Sequence, residues 1–188
     1  MATIRHERLS DVDAREAILD QAFGEERARK SSERLRERRL PAEGLAFTAV
    51  NERRVIGTAR LWNIACGNGE PMLLLGPVAV ACDAQRRGIG AALVERAIRD
   101  ARKRGYAAIL LVGDAPYYGR FGFSAEKTAP LTMPGPYEPH RLLALELQPG
   151  ALDGAHDMIV ATGRPQPNPD VTLLAARRSQ RAPRRRAA

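Results

Sequence analysis

The stretch from Leu75 to Gly90, Leu75-Gly76-Pro77-Val78-Ala79-Val80-Ala81-Cys82-Asp83-Ala84-Gln85-Arg86-Arg87-Gly88-Ile89-Gly90, decides how the chain is read. Its first half closes an apolar run, Met72 to Ala81, that is short enough for a strand. Pro77 lies inside that run and cannot donate a ladder hydrogen bond, so the strand is expected to be bulged or broken in its pairing there. Its second half is a charged, glycine-bearing loop. An amphipathic helix follows, ending near Arg104, with Ile89, Leu93, Val94, Ala97, Ile98 and Ala101 on one stripe. Gly105 suits the position after its last turn, and Arg102, Lys103 and Arg104 suit the negative helix end. A helix start has unpaired N–H groups and a partial positive charge. Glycines let backbone approach a phosphate closely, and Arg86 and Arg87 add charge. Arg86 to Ala91 therefore look built to hold a pyrophosphate through backbone amides.

Upstream, Thr3 to Glu7 suits a first strand. Ser10 is expected to cap a helix over Val12 to Phe23, with Asp13 in its acidic first turn. A charged second helix is expected from Glu26 to Leu40, stopping at Pro41; its few apolar residues, mainly Ala28, Leu35 and Leu40, place it on the surface over the site. Leu45 to Val50 and Val55 to Trp62 read as strands joined by the turn Asn51-Glu52-Arg53-Arg54, and Ala65 to Pro71 as a loop. Downstream, Ala107 to Val112 is a buried strand. A short helix from Ala115 to Phe121 has Asp114 as its cap. Phe123 begins another strand, and Leu142 to Leu147 forms the last. The expected organisation is one domain over residues 1–148, an extension over 149–170 and a basic tail over 171–188.

The chain has 188 residues, 44% of them hydrophobic, which suits one globular domain with its own core. No apolar run approaches the roughly 18 residues of a spanning helix. The opening MATIRHERLS has charges where a signal peptide is apolar, so a cytoplasmic location is expected. Cys66 and Cys82 form no CxxC pattern, and His6, His140 and His156 form no HExxH, so no metal is expected. The net charge of +8 is mostly a property of the last twelve residues, RRSQRAPRRRAA; without their six arginines only +2 remains. Such a tail has too little apolar surface to fold alone. It is either a solubilising end or a contact for nucleic acid or another anionic surface.

Other phosphate loops fit less well. A Walker loop needs Gly-Lys-Ser/Thr where Gly90-Ala91-Ala92 stands, and a dinucleotide fingerprint needs a third glycine or alanine where Leu93 stands. Gln85-Arg86-Arg87-Gly88-Ile89-Gly90 instead resembles the Gln/Arg-x-x-Gly-x-Gly/Ala coenzyme A signature of the GNAT (Gcn5-related N-acetyltransferase) superfamily. Tyr118-Gly119-Arg120-Phe121-Gly122-Phe123 resembles that family's Tyr-x-x-x-Gly-Phe, and the resemblance covers roughly Ile4 to Leu147. The paired Tyr117-Tyr118 is most similar to a bacterial branch of broadly uncharacterised members. Two positions depart from the pattern. Cys82 stands where many relatives have proline, and Asp114 is the nearest counterpart of an asparagine that contacts the pantetheine arm. Asp114 also has the simpler role of helix cap.

The resemblance implies an α+β fold, an αβα sandwich: a mixed, mostly antiparallel sheet with helices on both faces and a splayed strand pair at the cosubstrate site. It implies acetyl-CoA as cosubstrate and direct attack by an amine in a ternary complex. Val78 and Val80 then pair their backbone with pantetheine, with a core role as the alternative, and an N–H near Val80 serves the developing oxyanion. Gln85, Arg86, Arg87, Gly88, Ile89, Gly90 and Ala91 hold the pyrophosphate. Tyr118 is the general acid or else a packing tyrosine, and Tyr117 faces the ligand. Phe121 and Phe123 are core. Glu70 is the nearest acidic candidate for a general base, with ordered water as the alternative. Trp62 is core or lines the acceptor pocket.

Two other readings remain open at this level: a coenzyme A-binding sensor without catalysis, and a nucleic-acid or ribosome-associated protein led by the tail. The acceptor is a small-molecule or peptide amine without further identity. Glu26 to Leu40 and Thr132 to His140 are expected to shape its pocket, with PGPYEPH as one wall. No membrane partner is expected, and the oligomeric state is open, a homodimer included.

Overall fold

Period-two alternation in the central strands decides the layering. In β4 (Met72–Val80), Leu73 and Leu75 join one apolar cluster, while Met72 and Leu74 join another. In β5 (Ala108–Val112), Ile109 and Leu111 share the first cluster, and Ala108 and Leu110 the second. The sheet is therefore buried on both faces. The structure, a computed structural model, describes residues 2–24, 27 and 29–167.

The strands β1 (Thr3–His6), β2 (Ala46–Asn51), β3 (Arg54–Ala65), β4, β5 and β7 (Leu142–Glu146) lie side by side in that order. All neighbours are antiparallel except β4 and β5. The β2–β3 hairpin closes through Glu52 and Arg53, at φ 48° and 68°, with Asn51 opposite Arg54. Positive φ at both central residues is the turn whose twist matches the strands it joins.

On the first face lie α1 (Val12–Phe23), through Ile18 and Leu19, and α3 (Ile89–Lys103), through Leu93, Val94, Ala97 and Ala101. The short α2 (Ser31–Arg34) leads into Leu35, which packs on the second face with Trp62, Ile64, Leu131 and Met133. Helices thus lie on both faces of a mixed, mostly antiparallel sheet. After Gln148 the chain still packs: Ala151, Leu152, Ala155 and Ile159 are buried in the second cluster. The paired strands β6 (Leu131–Thr132) and β8 (Asp157–Met158) and then β9 (Val160–Ala161) complete this face, β9 taking the edge of β3 beyond the end of β2.

Several local expectations are corrected. Ser10 does not cap α1; it sits in a 3-10 turn, Leu9–Asp11, and Asp11 takes the cap position. The carboxylate of Asp11 instead accepts from Arg8 N–H and from Arg5. The helix expected over Glu26–Leu40 shrinks to α2 and turns. Among its described residues only Leu35 joins the apolar core, Arg38 adopts φ 54°, and Leu40 N–H bonds Arg164 C=O; Glu26 and Ala28 lie outside the described residues, as does the 171–188 tail. Phe123 begins no strand. It is buried in the core, and only Ser124 bridges to Ala144. Asp114 occupies the cap position of α4 (Ala115–Gly119) but makes no side-chain cap bond.

The feature that matters for function is where β4 and β5 part. They pair only at Met72–Ala108, Leu73–Ile109 and Leu74–Leu110. Beyond Leu74, β4 continues to Val80 against β3 alone, and β5 continues to Val112 against β7 alone. Pro77 lacks the N–H that a ladder would need on the free stretch. The strands splay, and a wedge opens between them.

Candidate active site

Two adjoining spaces occupy the wedge. The first, about 240 Å³, lies between Leu75 to Val78 of β4 and Val112 to Asp114 at the end of β5. The second, about 520 Å³, runs along Val78 to Val80 to the start of α3. Val78 and Tyr118 line both, so they stand at the junction.

The loop after β4 is shaped for an anion. Gly88 is the cap of α3 at φ 76°, ψ 0°, a conformation that L residues with a Cβ rarely adopt. The first intrahelical bond recorded from Gly88 is Ala92 N–H to its C=O, 3.0 Å. The amides of the preceding residues are the free donors of a helix start, beside a partial positive charge. Gln85, Arg86, Gly88, Ile89, Gly90 and Ala91 line the space at this end. Gln85 Nε2 donates to Val80 C=O at 3.3 Å, tying the loop to the strand it leaves.

Tyr117 and Tyr118 point to different neighbours. A Cβ on Gly90 would lie 3.1 Å from Tyr117 Oη, so Tyr117 faces the α3 start. Tyr118 turns inward. A Cβ on Gly113 would lie 2.4 Å from Tyr118 Cε2, so only glycine leaves room for that ring. Tyr117 and Phe123 meet the Tyr118 ring edge-on, at centroid distances of 4.9 and 6.0 Å. Burial, and then the neighbouring Tyr117, push the Tyr118 phenol up to about 12. The phenol is thus neutral and proton-bearing throughout the physiological range.

The first space is lined by charge: Arg27, Lys30, Arg36 and Arg141, with Glu33 and Asp114. Arg27 is committed to Glu16 and Asp20, at 2.5 and 2.9 Å, and Arg36 to Glu33 at 2.7 Å. Asp114 makes no ion pair among the described residues, and neither do Lys30 and Arg141.

The sequence matches the model of the acetyltransferase (GNAT) family over residues 12–123. The chain belongs to the GNAT acetyltransferase family. Solved structures with the same fold include the GNAT family N-acetyltransferase YhbS from Escherichia coli, in complex with CoA. It is 25% identical, with a TM-score of 0.71 over 85% of this chain and 89% of that one. A GNAT family acetyltransferase from Brucella melitensis, in complex with acetyl-CoA, is 22% identical, with a TM-score of 0.61 over 89% and 94%. A third, from Staphylococcus aureus Mu50, is 19% identical, with a TM-score of 0.56 over 79% and 100%. No curated protein matches the sequence.

Within this GNAT fold the expected site residues separate. Val78, Val80, Gln85, Arg86, Gly88, Ile89, Gly90, Ala91, Tyr117 and Tyr118 share the second space. Arg87 is exposed and does not line it. Asp114 lines the first space and not the second. Glu70 is not brought to the site: it lies exposed before the opposite end of β4, its N–H held by Asn68. Eight residues of extended chain, about 26 Å, separate it from Val78. Adjacency in sequence made it a candidate, and strand direction removes it. Trp62 is buried, donates from Nε1 to Gly76 C=O at 2.6 Å, and lines a neighbouring space with Arg60 and Pro77. Tyr137 and Glu138 of PGPYEPH line another, beside Lys30 and Arg141.

Sequence reasoning missed Arg120. It lines the second space with its guanidinium 4.1 Å from the Tyr117 ring centre. Its place inside the Tyr-Gly-Arg-Phe-Gly-Phe motif was the available signal. Lys30, Glu33 and Arg36 fall in the Glu26–Leu40 stretch expected at a pocket, but nothing in the sequence singled them out or joined them to Arg141, because separate segments bring them together.

Proposed function

We propose that this GNAT protein transfers the acetyl group of acetyl-CoA to a primary amine by direct attack within a ternary complex. The observation that carries the reading is the junction: Tyr118 and Val78 stand where an anion-suited channel meets a polar cavity open to a second reactant. The E. coli and Brucella structures, bound to CoA and acetyl-CoA, support the same use of the channel here.

The residues fit the cosubstrate. Beyond its own chain neighbours, a Cβ at Gly88 would meet nothing within 4 Å, so the approach to the loop is open. The α3 amides, Arg86 and Arg120 would hold the pyrophosphate. Val78 to Val80 have no strand on their free edge, and would offer it to the pantetheine amides as a sheet offers an edge to a peptide. Bound acetyl-CoA supplies an activated acetyl thioester.

The rest falls to side chains. Tyr118 holds the proton that the departing sulfur takes up. A phenol near 12 is a weaker acid than a free one, but the same desolvation raises the proton affinity of a thiolate beside it. Donor and acceptor therefore shift in the same direction. Asp114, unpaired at the mouth of the cavity, receives the ammonium and takes its proton directly or through water.

The test is a panel of primary amines with acetyl-CoA, following thiol release and N-acetyl product, with Tyr118→Phe beside wild type. The reading predicts turnover lowered by about 10²- to 10⁴-fold in the variant. A panel without turnover, or a fully active Tyr118→Phe, overturns the assignment.

A further inference from the structure

We propose that the acceptor amine carries a carboxylate of its own, as in a free amino acid or a peptide that begins with an acidic residue. The inference rests on the transfer reading above and names the class of its second substrate.

It starts from Arg36. Its side chain is only 8% exposed, and it lines the first cavity and the space beside Trp62. Buried guanidinium donors are normally satisfied. Arg36 satisfies one nitrogen: Nη2 donates to Glu33 at 2.7 Å and Ser32 at 3.4 Å. Nε is buried with no acceptor among the described residues. A single carboxylate thus meets half of a fork that binds two oxygens best.

Two further cations face the same cavity. Lys30 Nζ stands 4.7 Å from the Phe23 ring centre, and Arg141 Nε reaches the Gly113 carbonyl at 3.4 Å. Neither has a carboxylate partner among the described residues. Besides Glu33, the acidic group of this cavity is Asp114, without an ion pair among the described residues, and Glu138 lines the neighbouring space, 3.3 Å from His140. Arg27 adds no free charge, being matched by Glu16 and Asp20.

The unspent charges of the cavity are thus of both signs, with the cations in excess. Asp114 is the free carboxylate on its lining. Lys30, Arg141 and the Nε of Arg36 are unspent cationic donors on the same lining. A zwitterion satisfies both signs at once. A polyamine would place its second ammonium against Lys30 and Arg141, like charges in a partly desolvated cleft.

The test separates binding from chemistry. Amino acids, peptides beginning with Asp or Glu, the matching carboxamides and decarboxylated amines, and spermidine are titrated into protein saturated with CoA, where no transfer occurs. At least one carboxylate-bearing amine is expected to bind about tenfold or more tighter than its carboxamide, as loss of a charge-assisted hydrogen bond implies. The free-acid and peptide arms distinguish the two sources. Arg141→Gln and Lys30→Gln, both at exposed positions, should erase that preference while CoA affinity stays unchanged. Arg36→Lys, which keeps the charge without the fork, should weaken it. Equal or tighter binding of carboxamides or spermidine overturns the inference, as does the absence of binding by every carboxylate-bearing amine below about 10 mM. Acetyl transfer to polyamines alone also overturns it and leaves the transfer reading standing. Selective binding with no transfer to any amine supports the inference and overturns the transfer reading instead.

Discussion

Replacing Gly113 by alanine tests how Tyr118 is positioned, and it needs no knowledge of the acceptor. The new methyl would lie 2.4 and 2.7 Å from Tyr118 Cε2 and Cδ2, and 2.9 Å from Leu111 Cδ1. Carbon atoms rest at about 3.5–4.0 Å, so the ring must retreat by roughly 1 Å. Overpacking of this kind costs about 1–3 kcal/mol. Against that, removing a glycine lowers the entropy of the unfolded chain and stabilises by about 0.4–1 kcal/mol. The clash wins, for a net loss of about 1–2 kcal/mol. In a Tyr118→Ala background the ring is gone and Leu111 Cδ1, 2.9 Å from the new methyl, can move into the space it leaves, so Gly113→Ala should then be close to neutral. Urea unfolding of the four proteins gives the coupling directly, expected at about 1–2 kcal/mol. Additive single effects would refute the claim that Gly113 exists to seat Tyr118.

Three further outcomes follow from the same geometry. Because burial holds the Tyr118 phenol at about 12, its ionisation should contribute no alkaline fall in transfer rate below about pH 10, and a pH–rate profile against Tyr118→Phe checks this. Arg120→Ala removes a cation of the second space that stacks on Tyr117; it should weaken acetyl-CoA binding about 5- to 30-fold and flatten the salt dependence, measured by titration at two ionic strengths. Hydrogen bonds from Arg5, at 2.6 and 2.9 Å, hold Asp11 down at about 2. A depressed carboxylate contributes stability above its unfolded pKa and loses it as pH falls through the folded value. Between about pH 5 and 2 the wild type should therefore lose about 1–2 kcal/mol that Asp11→Asn does not lose, allowing for screening at the partly exposed Arg5.

What was legible in the sequence was whatever local geometry imposes on local residues. Gly88 marks a left-handed cap, and the α3 stripe marks a helix on a sheet; each is set by its own neighbours. Pro77 announced where pairing would fail, and β4 leaves β5 after Leu74, just ahead of it. Of the first cavity, the sequence offered the Glu26–Leu40 stretch but not the arrangement, because α2, the β5 end and Arg141 meet through packing rather than spacing. Glu70 failed for the same reason in reverse: it is near β4 in sequence and at its wrong end in space. The helix expected over Glu26–Leu40 failed because charge-rich sequence without an apolar stripe gives tertiary contacts the deciding vote. There Leu35 dives to the second face and Leu40 bonds across to Arg164.

The central claim, that the loop opening α3 holds the phosphates of acetyl-CoA, is tested most directly by calorimetric titration of acetyl-CoA into wild type, Gly88→Asn and Gly88→Glu. Position 88 has φ 76°, and a Cβ there meets nothing within 4 Å, so a side chain would project into open space over the loop. Asparagine tolerates the left-handed backbone better than most residues and adds no charge, whereas glutamate sets an anion against the phosphates. The account predicts micromolar binding by wild type, affinity within about tenfold for Gly88→Asn, and a loss of about a hundredfold or more for Gly88→Glu. Folded wild type that does not bind acetyl-CoA, or Gly88→Glu that binds it as tightly, would contradict the account.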